Sequence, residues 1–507
     1  MPHPYNKLPS IKGLLFLLIG SVVVRFLSLS MYPILDSTEA RYAEVARFMA
    51  ATHNWVIPML SPHMPYMGNP PMFAWMSAIG FSLFGMNSVA ARLPHLIAGI
   101  GTLVLVYYFA KHYFKSANMG CIASAILATT SVFLILIGAV SPETSMTFGI
   151  TLTMVSFWFA WNNKNTLWGY GFFIGLAISL LSKGPIALLL ICLSLTFWLL
   201  SNGRWLHLKK RLPWGYGSLL FLLLTLPWIV LAEHRMPGVL HYYISSEYIQ
   251  WFFLGNSQGE FYASIHHHVR GMIWFFALIA MLPWTPLLII QWVRILKKGG
   301  DTEGSSDGVG SYLLLWLFTP LVLYTFTGNI LISFVMPSLP AMAMLIAYYQ
   351  ANYPLPKWVY SLGIATPVFL MMLVGGIHFH LTKNYSQMAI ISDWKLQAET
   401  KTADLFYLHK RPFSALFYSS GKAEARSGDR SKWLSSQTKP FFIIQKSKYS
   451  THYPNWSCEE RAEEADEKLI YCKPSPTKVA ADTLTNKKDA LTEKPQSEDK
   501  ALENITQ

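Results

Sequence analysis

The sequence predicts a polytopic α-helical membrane protein that carries a small α/β domain towards its C-terminus. Three observations predict it. Of the 507 residues, 52% are hydrophobic and only 13% are charged, where a soluble domain carries about 25% charged residues. Apolar stretches of the length that crosses a bilayer, about 17–25 residues, recur from residue 13 to residue 378. Basic residues flank those stretches on alternate loops. The net charge of +13 is spread through these loops and not gathered into one patch. Membrane orientation therefore accounts for it, and no nucleic acid partner is implied.

The expected spans are 13–32, 92–110, 118–140, 144–161, 167–182, 185–201, 214–232, 271–293, 311–327, 331–350 and 358–378. That is about eleven transmembrane helices. The region 167–201 is nearly continuous, broken only by Ser182-Lys-Gly-Pro185. Lys7 and Lys12, Lys111 and Lys115, Lys164, Arg204 with Lys209, Lys210 and Arg211, Arg294 with Lys297 and Lys298, and Lys357 fall on alternate loops. The positive-inside rule makes those loops cytoplasmic. The opposite face then receives the loop 33–91, the loop 233–270 and everything after residue 379. The first span is followed by no clear small-residue cleavage site and reads as an uncleaved anchor. Arg25 lies inside it without an evident local reason.

Residues 380–475 change in character, with more charge and short β-like runs such as Phe441-Phe-Ile-Ile-Gln445 and Leu469-Ile-Tyr471. They read as a small external α/β domain. Residues 476–507 are rich in Lys, Glu, Asp, Thr and Pro, a composition that cannot bury a core and is expected to be disordered. The organisation expected is thus a transmembrane domain over 1–379, an external domain over 380–475 and a polar tail over 476–507. Cys121 and Cys192 lie in spans, where a thiol is a small apolar residue. Cys458 and Cys472 lie in the external domain, where an oxidising compartment permits a disulfide. No CxxC or HExxH pattern is present. In His266-His267-His268 adjacent side chains converge poorly on one ion, so a solvated or substrate-facing turn is the better reading. No metal site and no cofactor is expected, with a divalent ion carried alongside substrate left open.

The first outer loop holds the richest chemistry. Leu35-Asp-Ser-Thr-Glu-Ala-Arg-Tyr-Ala-Glu44 follows directly on the first span. It keeps Asp36 and Glu39 near the bilayer surface, where carboxylates are unfavourable unless solvated, paired or used. Asp with Glu three residues on also mimics a capping box, and a capping carboxylate can still face a substrate. Tyr42, Val45, Ala46 and Met49 form an apolar stripe at helical spacing. Arg41, Glu44 and Arg47 fall on other faces, so a helix lying in the interface plane is expected. Downstream come Trp55-Val-Ile-Pro58, Tyr66-Met-Gly-Asn-Pro-Pro71 and an aromatic-rich segment from Met72. Two prolines opening that segment mark a second interfacial helix. Phe84-Gly-Met-Asn-Ser-Val-Ala-Ala-Arg-Leu-Pro94 then leads into the next span.

Taken in order, D-x-x-E-A-R-Y-A-E, W-x-x-P, x-x-P-P and L-F-G-x-N-x-x-A-A-R-L-P resemble the ArnT-like branch of the polyprenyl-phosphate-dependent glycosyltransferases. Protein O-mannosyltransferases are more distant relatives. Ser182-Lys-Gly-Pro185, Arg270-Gly271, Leu282-Pro-Trp284, Gly328-Asn-Ile-Leu331 and Leu339-Pro340 extend the resemblance over residues 13–350. It implies a GT-C fold in the inner membrane. The activity implied is inverting transfer of a sugar, an aminosugar such as aminoarabinose included, from a polyprenyl-phosphate donor. The acceptor implied is lipid A or another envelope molecule, on the periplasmic side. A carboxylate can take or orient the acceptor's proton, and cations can stabilise the departing phosphate.

The resemblance assigns the motif's acidic position to Glu39, followed by Arg41 and Tyr42. Relatives often place an aspartate just before that glutamate. Here Thr38 stands there and Asp36 lies two residues earlier, so Asp36 and Glu39 are both catalytic candidates. Glu143, after Ser141-Pro142, is the third. Lys183, Arg270 and His266 join Arg41 and Tyr42 as candidates for binding substrate or phosphate. Asn69 belongs to the same set by position, although relatives usually carry lysine there, and one expected phosphate-binding cation is lost. Local readings stand beside these: Lys183 snorkelling at a span end, Glu143 capping the next helix, Arg270 anchoring at the interface. The partners expected are the lipid-linked donor, the envelope acceptor and membrane lipids. A lipid-linked sugar transporter and a protein O-glycosyltransferase are the alternatives. A transporter should show ionisable sites near the midplane in repeated halves, whereas these ionisable residues gather at the outer face and no internal repeat is visible.

Overall fold

The computed structural model describes residues 9–36, 38–163, 166–243, 268–297, 308–352, 356–379, 385–401, 403–426, 433–434, 437–451 and 453–475, and all structural statements concern these. The chain divides into two compact units, residues 1–34 with 38–382 and residues 35–37 with 383–507. The first unit is helical. Helix α1 (Ile11–Ser28) is capped by Ser10, whose side chain accepts from the Gly13 N–H at 3.2 Å. Then follow α2 (Thr38–Thr52), the short strands β1 (Met59–Ser61) and β2 (Met64–Pro65), and α3 (Met72–Phe84). Helix α4 (Ser88–Phe114) starts at Asn87, whose side chain accepts from Ala90 N–H at 2.8 Å. Next come α5 (Ala117–Ala128), α6 (Ser131–Leu136), α7 (Pro142–Asn163), α8 (Thr166–Lys183), α9 (Pro185–Ser201) and α10 (Trp214–Arg235). A single turn α11 (Val239–His241) precedes α12 (Met272–Ala280), α13 (Thr285–Lys297), α14 (Val309–Thr325), α15 (Leu339–Asn352) and α16 (Ala365–His378).

Among the described residues five helical stretches are long and apolar enough to cross a membrane: α1, α4, α10, Ile332–Ala351 and Lys357–His378. The pair α12 and α13 passes together, bent by 103°. Helices α5, α8, α9 and α14 are apolar but shorter. Several spans present large apolar side chains outwards, among them Phe16 of α1 at 73% exposed, Leu223 of α10 at 63% and Met372 of α16 at 63%. Such faces suit lipid and not water, and the chain is a multi-pass membrane protein.

Two expectations from the sequence are corrected here. The span 118–140 is broken at Thr129-Thr130, between α5 and α6. Both hydroxyls turn back onto helix carbonyls, Thr129 Oγ1 to Ala125 O at 2.6 Å and Thr130 Oγ1 to Ile126 O at 2.7 Å. Thr129 then accepts from Trp284 Nε1 at 3.1 Å, and its carbonyl from Thr366 Oγ1 at 2.6 Å, so the break is a junction for later helices. Helix α2 is the second correction. It is buried on nearly all sides, with Glu44 and Arg47 as deep as Val45 and Ala46. That is tolerable because Arg47 Nε and Nη2 each reach a Glu44 oxygen at 2.7 Å, a forked pair that satisfies both charges.

Helices α7 and α8 form an antiparallel hairpin whose backbones touch. A Cβ on Gly175 would lie 2.6 Å from Thr153 N and 2.7 Å from Gly149 O, closer than any side chain allows. This close approach sets the start of α7 opposite the end of α8.

The second unit holds α17 (Met388–Leu396), β3 (Asp404–Tyr407), α18 (Phe413–Tyr418), β4 (Ala423–Ala425), β5 (Phe441–Lys446), β6 (Trp456–Glu464) and β7 (Glu467–Pro474). The strand order is β4-β3-β5-β7-β6. β3 runs parallel to β4 and β5, and β7 runs antiparallel to β5 and β6. Side chains alternate between faces along each strand. Leu405, Tyr407, Phe442 and Ile444 pack with Ile391 and Trp394 on one face, and Phe406, Phe441, Ile443 and Ile470 with Trp456 on the other. Cys458 and Cys472 are directly opposed on β6 and β7 and joined by a disulfide, with 4.1 Å between their Cα atoms. The tail 476–507 lies outside the described residues.

Candidate active site

Three helix ends and one loop supply the chemistry. Glu39 sits in the first turn of α2, where the helix dipole favours an acid. Arg92, one turn into α4, is fully buried and donates to Glu39 through Nε at 2.7 Å and Nη2 at 2.8 Å. Its other donors reach Leu29 O at 2.8 Å, Tyr32 O at 2.9 Å and Pro33 O at 2.8 Å. All five guanidinium N–H groups are therefore engaged, and the chain leaving α1 is tied to α2 and α4 at one point. Glu39 also accepts from Val140 N–H at 3.4 Å, which brings in the loop before α7.

That loop continues to the second ion pair. Ser141 Oγ donates to Glu143 Oε2 at 2.7 Å and accepts the Glu143 N–H at 3.2 Å. Lys183, the last residue of α8, donates to Glu143 Oε1 at 2.8 Å. Its side chain is 14% exposed and that of Glu143 is 4%. Gly184 follows in a left-handed conformation (φ +70°), which lets the chain turn straight into Pro185 of α9. The ammonium lies 5.1 Å from the centre of the Phe334 ring and within electrostatic range of Tyr42 and Tyr324.

Tyr42 leads to the remaining cluster. Its ring packs on Phe73 at 4.9 Å and Tyr66 at 6.0 Å between centroids. The Arg41 guanidinium lies 5.3 Å from the Tyr42 ring and 5.7 Å from the Tyr66 ring. Asn69 is buried and donates to Tyr66 OH at 2.8 Å, while its carbonyl accepts from Tyr243 OH at 3.1 Å. The position where a lysine was expected thus belongs to a neutral hydrogen-bonded corner. Behind the ion pairs stands His95, fully buried, with Nε2 3.0 Å from Ser77 Oγ and both Glu39 and Glu143 in electrostatic range.

Glu39, Arg41, Tyr42, Asn69, Glu143 and Lys183 are accordingly linked in one set. Asp36 is engaged elsewhere, in the second unit. Its backbone N–H bonds Tyr385 O at 2.8 Å, Oδ1 accepts from Ser414 N–H at 2.9 Å, and Oδ2 accepts from Ser414 Oγ. Ser414 is the second residue of α18, so Asp36 caps that helix and not α2. Arg270 is exposed in the turn before α12. His266 lies outside the described residues. Arg25 answers to structure: it is buried and donates to Ser28 Oγ at 2.8 Å, Tyr32 OH at 3.0 Å and Ile135 O at 2.7 Å. Arg92 and His95 were missed. Arg92 stood inside the A-A-R-L-P motif, and His95 is the residue directly after it.

Two buried ion pairs, Glu39–Arg92 and Glu143–Lys183, thus lie in one linked set with the aromatic cluster of Tyr42, Tyr66 and Phe73, inside a multi-pass helical unit. Residues 15–243 match the family described as dolichyl-phosphate-mannose-protein mannosyltransferase. The fold aligns with the crystal structure of ArnT from Cupriavidus metallidurans bound to undecaprenyl phosphate, at a TM-score of 0.72 and 16% identity. That alignment covers 91% of this chain and 98% of that one. The chain shares the fold of that structure, a GT-C fold. In sequence it is similar to the undecaprenyl phosphate-alpha-4-amino-4-deoxy-L-arabinose arabinosyl transferases. The enzyme of Erwinia tasmaniensis is 26% identical over 61% of this chain and 54% of its own length. That of Aeromonas hydrophila is 28% identical over 63% of this chain and 57% of its own. The chain thus spans a little over half the length of these curated relatives.

Proposed function

We propose that this protein is an inverting glycosyltransferase that takes a sugar from a polyprenyl-phosphate carrier and passes it to an envelope acceptor, lipid A foremost. The reading places the reaction and the second unit on the periplasmic side of the inner membrane. The observation that carries it is the Lys183–Glu143 pair beside Tyr42. In direct displacement the acceptor oxygen attacks the anomeric carbon as the bond to the phosphate oxygen breaks. Polyprenyl phosphate leaves with that electron pair, and no second carboxylate nucleophile is needed. Lys183 then stabilises charge growing on the phosphate. As the ammonium is drawn to the phosphate, Glu143 loses its counter-ion and becomes the better proton acceptor. Glu39, held by Arg92, fixes the start of α2 and so positions Arg41 and Tyr42.

The test is sugar transfer from a polyprenyl-phosphate donor to lipid A in proteoliposomes, read by mass spectrometry. Glu143→Gln and Lys183→Met are each expected to lower turnover at least about a hundredfold while the protein still inserts. Near-normal transfer by both variants would refute the assigned site. Sugar found on protein and not on lipid A would favour protein O-glycosylation, the reading suggested by the family match over residues 15–243.

A further inference from the structure

Away from the ion pairs, the connection between α9 and α10 forms a 3-10 turn, Trp205–Lys210, with the sequence Trp-Leu-His-Leu-Lys-Lys. Its basic residues divide into two groups. Arg204 lies 4.9 Å from the Trp198 ring centre, and Arg211 donates to Trp161 O at 2.7 Å and lies 5.3 Å from that ring. These two cations, one at each end of the turn, hold it against the ends of α9 and α7. Trp214 Nε1 adds a bond to Leu208 O at 3.3 Å. The rest of the turn faces outwards: Lys209, Lys210 and His207 are exposed, beside Trp205 at 49% and Leu206 at 86%.

We propose that this turn is a docking surface for anionic phospholipid headgroups. An exposed leucine and indole next to two exposed ammonium groups fit a surface that is apolar below and negatively charged above. A soluble polyanion would gain nothing from Leu206. The turn leads into α10, a helix apolar enough to span, so it sits at the depth where headgroups lie. Clamping at both ends means that little ordering cost remains to be met on binding. The inference rests on the proposed function only for its side of the membrane, the cytoplasmic one, where anionic lipids set a negative surface potential.

The full-length protein, purified in detergent, is titrated separately with phosphatidylglycerol and phosphatidylcholine, and bound lipid is counted by native mass spectrometry. Wild type is expected to prefer phosphatidylglycerol. Lys209→Gln with Lys210→Gln should lower that preference about thirtyfold, equivalent to about 2 kcal/mol at about 1 per lysine. Lys209→Arg with Lys210→Arg should retain it. An unchanged preference in the glutamine variant overturns the proposal. So does heparin binding that the same substitution abolishes while lipid preference stays intact, which would give the turn to a soluble partner. Sugar transfer measured in parallel should match wild type in the glutamine variant, so failure here and failure of the transferase reading are distinguishable.

Discussion

In the helical unit Arg92 is fully buried and gives all its donors to Glu39 and three carbonyls, whereas in the sheet unit Arg426 meets Glu424 at 2.7 Å with both side chains about half exposed. The bonds are equally short. Their weights differ because the alternatives differ. Exposed pairs exchange one set of hydrogen bonds for water's and contribute about 0–1 kcal/mol. Removing one member of a buried pair strands its partner in a medium that cannot solvate it. The helical unit places its charge where the chain must be held, at Glu39–Arg92, Glu44–Arg47 and Glu143–Lys183. The sheet unit relies instead on a two-faced apolar core and a cross-strand disulfide.

The sharpest way to break this comparison is Arg92→Leu. It takes the guanidinium away from Glu39 and from the carbonyls of Leu29, Tyr32 and Pro33. The expected cost is about 3–5 kcal/mol, read as a lower unfolding midpoint in detergent. Arg426→Leu in the sheet unit should move that midpoint hardly at all. Equal effects of the two changes would overturn the distinction.

Next in size is the disulfide. Replacing Cys458 and Cys472 by serine opens a loop with a sequence separation of 14, which costs about 3 kcal/mol in the chain-entropy model. Proteolysis of the whole protein with and without reductant should report the loss in the sheet unit. Indifference to reductant would place that unit's stability in the apolar core alone.

How much of this was legible in the sequence depends on the range of the interaction. Spans and strands follow from local patterns, and α1, α4, β5 and β7 fall where hydropathy and alternation put them. The Ser182-Lys-Gly-Pro185 break was visible because a left-handed glycine before proline is a local signal. What stayed hidden was partnership. Asp36 and Glu39 have capping-box spacing, yet Asp36 bonds Ser414, far along the chain, and Glu39 bonds Arg92. Nothing near either acid encodes that choice. The apolar stripe of α2 likewise understated its burial, because Glu44 and Arg47 neutralise each other and need no solvent face. Thr129-Thr130 breaks an apolar run through hydroxyl bonds to carbonyls, which hydropathy does not weigh.

The smallest expected effect belongs to Asp36 and decides between its two readings. Burial pushes its carboxyl above the ordinary value of 3.8, against the opposing pull of the Ser414 side chain and backbone. A carboxyl raised on folding binds its proton more tightly in the folded state. Its contribution is thus fully present below pH 3.8 and declines as pH rises through the folded value. As a cap for α18, Asp36→Ala should cost the sheet unit about 1 kcal/mol. The gap from wild type should be wider at pH 3 than at pH 7, since the wild-type advantage is greatest when the acid is protonated. Asp36→Asn, which keeps an acceptor oxygen, should leave sugar transfer near wild type at neutral pH. If Asp36 takes the acceptor's proton instead, the amide should lose about a hundredfold in turnover. Stability melts of the two variants at both pH values, run beside the transfer assay, separate a residue that holds a helix from one that handles a proton.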